Sequence, residues 1–275
     1  MANNVGLEFA AKTDTGLVRA QNEDAIAISP DYGFAVLADG MGGYNAGEVA
    51  SGMAIAVVRQ SLEEGLDGSQ GKPAGQPSGP SKQIQHLIVN AFHRANSAIL
   101  DAAATEPGYR GMGTTLLAAF FHHDKVVVAH VGDSRAYRFR LGELVQLTRD
   151  HSLLQEQLDA GLISPEWARF SQNKNLVTRA IGVGPEVEVE IHEHLSEPDD
   201  IYLLCSDGLS DMLLPEEMCD LLGNRQTSLE RACHALVQRA NDQGGHDNIS
   251  VILIRVQSTH VGTNGLLARI LGWIV

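Results

Sequence analysis

Cysteine is scarce in this chain. Cys205, Cys219 and Cys233 are the only three in 275 residues, and no two form a Cys-X-X-Cys pair. An odd count without tight spacing excludes a disulfide framework and is expected of reduced thiols in the cytoplasm. Positive charge is also in short supply: 20 Lys and Arg stand against 34 Asp and Glu, for a net charge of −14. A nucleic-acid binder shows a basic stripe, so that class is set aside. Long apolar runs are missing, since no stretch approaches the roughly 18 residues of a spanning helix, and no transmembrane segment is expected. Met1-Ala2-Asn3-Asn4-Val5 has no basic region leading into an apolar one, so no signal peptide is expected either.

What is present is a core and an unusual placement of acid. A hydrophobic share of 44% over this length suits one large domain or two small ones, and neither an internal repeat nor a domain boundary is visible. Three apolar runs end on or begin from a carboxylate: Phe34-Ala-Val-Leu-Ala38 runs into Asp39-Gly40, Ile201-Tyr-Leu-Leu-Cys-Ser206 into Asp207-Gly208, and Asp247-Asn248 opens the run 249–254. An aspartate is expensive to bury unless a cation or hydrogen bonds compensate it. Glycine beside it allows close backbone approach and frees a carbonyl for a ligand. Carboxylates far apart in sequence, all at strand ends, suggest one site for hard divalent cations, with magnesium or manganese favoured over zinc by the oxygen donors.

Short alternating or apolar runs predict strands at 7–13, 25–28, 34–38, 113–121, 125–131, 135–140, 143–147, 187–192, 201–206 and 249–256. Helical spacing predicts helices at 47–66, 84–104, 153–160, 165–170, 215–222 and 229–240. Residues 67–81, rich in Gly, Pro and Ser, read as a flexible surface loop. Residues 150–175 are polar, break the strand pattern and read as a flap-like insertion over the sheets. Pairs of helices between runs of strands suggest packed antiparallel sheets covered by helices. Within the C-terminal apolar tail, 258–275, the apolar stretch 265–275 is too short to span a bilayer. It reads as a terminal helix packed on the body, with a membrane-surface or partner contact as the other reading.

With these segments placed, eight motifs stand in order: Arg19-Ala-Gln-Asn-Glu-Asp24, Asp39-Gly-Met-Gly-Gly43, Gly111-Met-Gly-Thr-Thr115, Val131-Gly-Asp-Ser-Arg135, Arg149-Asp-His-Ser152, Thr178-Arg-Ala-Ile-Gly182, Cys205-Ser-Asp-Gly208 and Asp247-Asn248. Any one alone is weak, because Asp-Gly is a common turn. The ordered set resembles the bacterial form of the metal-dependent serine/threonine protein phosphatases of the PPM (PP2C) family. The resemblance implies an α+β fold, a four-layer α-β-β-α sandwich of two antiparallel sheets flanked by helices, in one phosphatase domain over residues 6–257.

The resemblance also implies roles. Asp39 bridges two tightly bound Mn2+ or Mg2+ ions, the Gly40 carbonyl binds one of them, and Asp207 and Asp247 complete the other's shell. Glu23 acts through metal-bound water, and Asp24 supports the cluster from behind. Asp133, sharing Asp207, holds a third and weaker ion. Arg19 binds the substrate phosphate, for which a guanidinium fork is suited. The hydroxide bridging the two metals attacks phosphorus directly, so no phosphoenzyme is needed, in keeping with the absence of a phosphatase-type Cys motif. Met41 stands where many eukaryotic relatives have a histidine proposed as the acid, and methionine has no proton to give. A metal-bound water or His151 remains for that role, with water preferred because His151 suits an anchor for the segment after it.

The bland readings are turn aspartates for Asp39, Asp133, Asp207 and Asp247, a surface ion pair for Arg19, surface histidines in the turn at His122-His123, strand packing for Thr114-Thr115, and a small buried apolar residue for Cys205. The ordered set favours the metal reading. The expected activity is hydrolysis of phosphoserine and phosphothreonine in proteins, opposing a cognate Ser/Thr kinase, by a monomer. Two other readings are a phosphatase of an anti-sigma-type regulator and a phosphoprotein-binding pseudo-phosphatase.

Overall fold

A computed structural model describes residues 6–42, 46–69, 80–164, 167, 176–224 and 226–257. Eleven strands among them form two antiparallel sheets. The first has the order β1 (Gly6–Asp14), β11 (Ile249–Gln257), β10 (Ile201–Cys205), β7 (Arg135–Arg140), β8 (Glu143–Gln146). The second has the order β2 (Asp24–Ser29), β3 (Phe34–Met41), β5 (Leu116–His122), β6 (Lys125–Val131), β9 (Glu190–Leu195), with the two-residue β4 (Gly113–Thr114) pairing the end of β3.

The apolar runs are continuous, not alternating, because each central strand is covered on both faces. Along β3, Ala35 and Leu37 face the other sheet with Leu117, Val128, Leu204 and Ile252. Phe34, Val36 and Ala38 face the opposite way, into a second core with the helices α1 (Ala46–Ser69) and α2 (Pro80–Thr105). Along β11, Ile252 and Ile254 enter the inter-sheet core, while Val251 and Leu253 meet α5 (Pro215–Gly223) and α6 (Leu229–Asp242) in a third. Side chains alternate across a strand with period two, so one run feeds two cores. The result is helices, sheet, sheet, helices, as the α+β expectation has it.

The helices follow their sequence signals. On α1, Ala50, Ala54, Val58 and Leu62 are fully buried at helical spacing. At Gly65 a Cβ would lie 2.3 Å from Leu87 Cδ1, so the missing side chain lets α2 come close. Ser228 caps α6, its Oγ accepting from Arg231 N–H at 3.3 Å.

Four local expectations need correction. The loop at 67–81 is shorter: α1 continues through Ser69 and α2 begins at Pro80, where proline at the first helical position has no donor to waste. The remaining 70–79 lie outside the described residues. The strand expected at 187–192 is 190–195, because its register is set by pairing with β6 (Lys125 opposite Leu195, His130 opposite Glu190), while Val187 is buried against α1 and α2. The strand expected at 113–121 is interrupted at Thr115. The strand expected to stop at Ala38 continues through Asp39 and Gly40 to Met41, with Asp39 opposite Asp24 and Gly40 opposite Thr114.

Within 150–175, α3 (Leu153–Asp159) is capped by Ser152. Leu153 N–H donates to the Leu176 carbonyl at 2.9 Å and Thr178 N–H to that of His151 at 2.8 Å, closing the base of the segment. The helix expected at 165–170 and the tail at 258–275 fall outside the described residues, Trp167 excepted. No helix among the described residues is long and apolar enough to cross a membrane.

Candidate active site

The three strand-end carboxylates converge. Asp39 lies near the end of β3, Asp207 opens the short helix α4 (Asp207–Ser210) directly after β10, and Asp247 stands just before β11. Asp24 and Asp133 join them, from the start of β2 and from the turn between β6 and β7. Each strand reverses at the same end of the sandwich, so the carboxylates gather at one rim.

This proximity raises their pKa values together. Asp39 and Asp207 keep some accessible surface but are crowded by protein. That desolvation pushes both well above the usual carboxylate range, and the neighbouring charges push further: Asp24, Asp207, Asp133 and Asp247 on Asp39, and Asp133, Asp211, Asp247 and Asp24 on Asp207. Burial likewise lifts Asp24 to about 6, against the opposing effect of the nearby Ser250 and Ser206 hydroxyls. Burial and then the charge of Asp150 lift Asp133 to about 6. Asp24 Oδ2 accepts from Ser206 Oγ at 2.8 Å, while its Oδ1 is buried without a hydrogen-bond partner. Two carboxylates directly opposite one another across β2 and β3 are unfavourable by themselves.

The cationic group faces this cluster. Arg19 Nη2 donates to Asp247 Oδ2 at 2.6 Å, and the Arg19 side chain is 51% exposed. That bond, then the surrounding acids, raises its pKa further. Glu23 lies beside Arg19 and Asp247, with its carboxylate against Gly47 in the first turn of α1, where a helix N-terminus favours negative charge. Burial raises the Glu23 pKa while Arg19 opposes the shift.

Backbone contacts hold the site rigid. Asp39 N–H donates to Thr115 Oγ1 at 3.0 Å, its carbonyl accepts from Thr114 Oγ1 and Thr115 N–H at 2.8 Å each, and Thr115 Oγ1 meets Ser134 Oγ at 2.8 Å. The threonine pair thus does the hydrogen bonding expected of it. Gly40 has no room for a side chain: a Cβ would fall 2.2 Å from the Gly47 carbonyl oxygen and 2.5 Å from that of Glu23. Arg135 locks the turn after Asp133 through a fork on Asp150, with Nε 3.0 Å from both oxygens and Nη2 2.6 Å from one.

His151 is an anchor. Its Nδ1 accepts from Gly132 N–H at 3.1 Å, so Nε2 carries the proton and donates to Glu190 Oε2 at 3.2 Å. Its ring stacks on His130 at 4.6 Å, whose Nε2 donates to the Arg149 carbonyl at 2.8 Å. His130, His151 and Glu190 offer ligand atoms within 4.8 Å of one another. The bond from Gly132 nevertheless commits the second His151 nitrogen to a proton, and the trio is better described as a hydrogen-bonded stack. Burial lowers both histidine pKa values. His122, unlike His123, ends β5 and is only partly exposed. Cys205 is fully buried, and its thiol is pushed up to about 12.

Two residues of the site escaped the sequence reading. Asp211 acts electrostatically on both Asp207 and Asp133, and its i,i+4 spacing from Asp207 was the available signal. Asn248 stands out in the sequence only as part of a motif, although its side chain bonds to Thr15, Gln21 and Glu23 on both sides of Arg19.

A family model for protein phosphatase 2C matches residues 18–253. The chain belongs to the protein phosphatase 2C family. It is 37% identical over 254 residues to the serine/threonine phosphatase stp of Listeria monocytogenes, covering 91% of this chain and 96% of that one. It is 37% identical over 263 residues to the serine/threonine protein phosphatase PstP of Mycobacterium tuberculosis, covering 95% of this chain and 48% of that one. The fold matches the PstP catalytic domain, crystallised in complex with two manganese ions, with a TM-score of 0.77 at 36% identity, over 93% of this chain and all of that one. The four-layer phosphatase 2C fold expected from the motifs is therefore the fold of this chain.

Proposed function

We propose that this chain is a metal-dependent protein serine/threonine phosphatase that hydrolyses phosphoserine and phosphothreonine. The observation that carries the reading is the gathering of Asp24, Asp39, Asp133, Asp207 and Asp247 at one rim beside Arg19. Oxygen donors of this number and charge fit Mn2+ or Mg2+. The partnerless buried Asp24 Oδ1 and the mutual repulsion of the group mark a site made for added positive charge.

Asp39, the Gly40 carbonyl, Asp207 and Asp247 would hold two ions, with Glu23 acting through water and Asp133 with Asp207 serving a third, weaker one. When bound, the ions supply Lewis-acid charge and make water nucleophilic at neutral pH. Arg19, half exposed, presents its fork to the phosphate oxygens and holds the dianion against an otherwise acidic surface. Thr114, Thr115 and Ser134 keep the Asp39 backbone from moving as charge develops. Cys205 is neither accessible nor ionised at neutral pH, which supports direct hydrolysis without a cysteinyl intermediate. With both nitrogens engaged, His151 leaves the leaving-group proton to water.

The protein acts as a cytoplasmic monomer opposing a Ser/Thr kinase in this reading. The test is manganese-dependent release of phosphate from a phosphothreonine peptide by the wild type and by Asp207→Asn. Turnover in the wild type and its loss in the variant are expected. Equal turnover by both would overturn the assignment.

A further inference from the structure

Arg19 sits on an exposed loop, yet the proposed reaction needs its fork held against the carboxylate rim. Leu17 and Val18 beside it are 69% and 64% exposed, so the apolar core does not hold this stretch in place. One side chain beneath it bonds to the loop on both sides of the arginine. Asn248 is 5% exposed. Its Nδ2 donates to the Thr15 carbonyl at 3.0 Å and to the Gln21 carbonyl at 2.9 Å, while its Oδ1 accepts from Glu23 N–H at 2.8 Å. Thr15 and Gln21 bracket Arg19, so the same amide grips the loop on both sides of the arginine.

Asn248 is also tied to the rest of the site through its main chain. Its N–H donates to Asp247 Oδ1 at 2.8 Å, turning the other oxygen, Oδ2, to Arg19. Its carbonyl oxygen lies 3.3 Å from Ser206 Oγ, the hydroxyl that donates its proton to Asp24 Oδ2 at 2.8 Å. A Cβ at Gly208 would lie 2.0 Å from that carbonyl oxygen, so α4, which carries Asp207, packs directly on the Asn248 backbone. One residue therefore contacts the arginine loop, the Glu23–Asp24 strand start, Asp247 and the Asp207 helix. Further ties come from Leu17 N–H to the Gly245 carbonyl at 2.8 Å, from Asn22 Nδ2 to Thr13 Oγ1 at 2.7 Å and from the close packing of Gly16 on the Gly245 and Asp247 backbone.

We infer that Asn248 is the positioning residue that sets Arg19 against the carboxylate rim, and so governs how tightly the substrate phosphate is held. It does so through its side-chain amide, whose oxygen also holds the Glu23 backbone, while its own backbone serves Asp247 and the Asp207 helix. A carboxylate in its place would keep the acceptor for Glu23 N–H but turn an oxygen towards the Thr15 and Gln21 carbonyls. An alanine would leave both carbonyls without this donor and Glu23 N–H without its acceptor, and add no charge. The inference rests on the reading of Arg19 as the phosphate-binding group.

The test is steady-state kinetics on a phosphothreonine peptide at saturating Mn2+. The proteins are the wild type, Asn248→Asp, Asn248→Ala, Arg19→Ala and the two double variants, each checked for fold by circular dichroism and thermal melting. Losing the two bonds to the Thr15 and Gln21 carbonyls, common to both variants, should raise KM about tenfold, with kcat within about threefold of wild type. In the Arg19→Ala background neither Asn248 change should raise KM further, because the group it positions is gone. Should Asn248→Asp fail to fold, Asn248→Ala carries the same expectation. A fall in kcat with KM unchanged, or KM increases that multiply independently of Arg19, would overturn the inference and leave Asn248 a structural residue. If Arg19→Ala raises KM and the Asn248 variants do not, this inference alone fails. If Arg19→Ala leaves KM unchanged, the phosphate role of Arg19 fails and takes the inference with it.

Discussion

Replacing Asp133 by Asn should make the metal-free protein more stable while making the metal-loaded enzyme slower. The folded protein lifts the Asp133 pKa from 3.8 to about 6 by burial and by the charge of Asp150. The sign follows from which state holds the proton. Well below pH 3.8 the carboxyl is neutral in both states and carries no penalty. As pH rises towards about 6 the unfolded chain ionises first, and stability is progressively lost. Two pKa units correspond to about 3 kcal/mol, and relaxation and sharing among neighbouring acids leave about 1–3 kcal/mol above pH 6. For a domain of this size that is a rise of about 3–10 °C in melting temperature for Asp133→Asn in excess EDTA, shrinking steadily towards pH 4. In saturating Mn2+ the order should narrow or reverse, because the variant lacks a ligand for the weaker ion. Calorimetry should still detect the two tight ions, with turnover reduced. The measurements are thermal melts from pH 4 to 8 with chelator or metal, metal titration calorimetry and phosphopeptide kinetics. Identical melting of variant and wild type across pH in EDTA would refute the electrostatic argument. Loss of the tight ions, or full turnover without the weak one, would refute the ligand assignment.

Asp39→Ala and Asp247→Ala should each abolish metal-dependent hydrolysis in a protein that still folds, and activity in metal-saturated assays would count against the site. Gly40→Ala should cost more than a surface change, about 1–3 kcal/mol by denaturant unfolding, because its methyl must displace the Gly47 and Glu23 carbonyls; an unchanged unfolding midpoint would contradict that close approach. Exchanging residues 150–175 for the segment of another bacterial relative should reorder phosphopeptide preference more than it alters hydrolysis of a small aryl phosphate, and equal losses on both substrates would show that the segment serves the chemistry instead.

The sequence alone determined which residues could form a core and where most strands and helices run, because those depend on local periodicity. The runs 34–38 and 249–256 read as strands at once, and the two-faced burial of β3 and β11 accounts for their lack of alternation. It also determined the family and the principal acidic residues, since ordered motifs survive without knowledge of contacts. Element ends were less legible. The 190–195 strand takes its register from β6, and the continuation of β3 through Asp39 depends on Asp24 across the ladder. Only tertiary structure decided the rest. Arg19 and Asp247 are 228 residues apart in sequence and 2.6 Å apart in space, and Ser206 reaches Asp24 across 182 residues. Nothing local marks Asn248 as the grip on both sides of Arg19, nor the His151 ring as an anchor on Gly132 and Glu190. Desolvation and charge–charge repulsion depend on what surrounds a group after folding, and no composition or spacing contains that information.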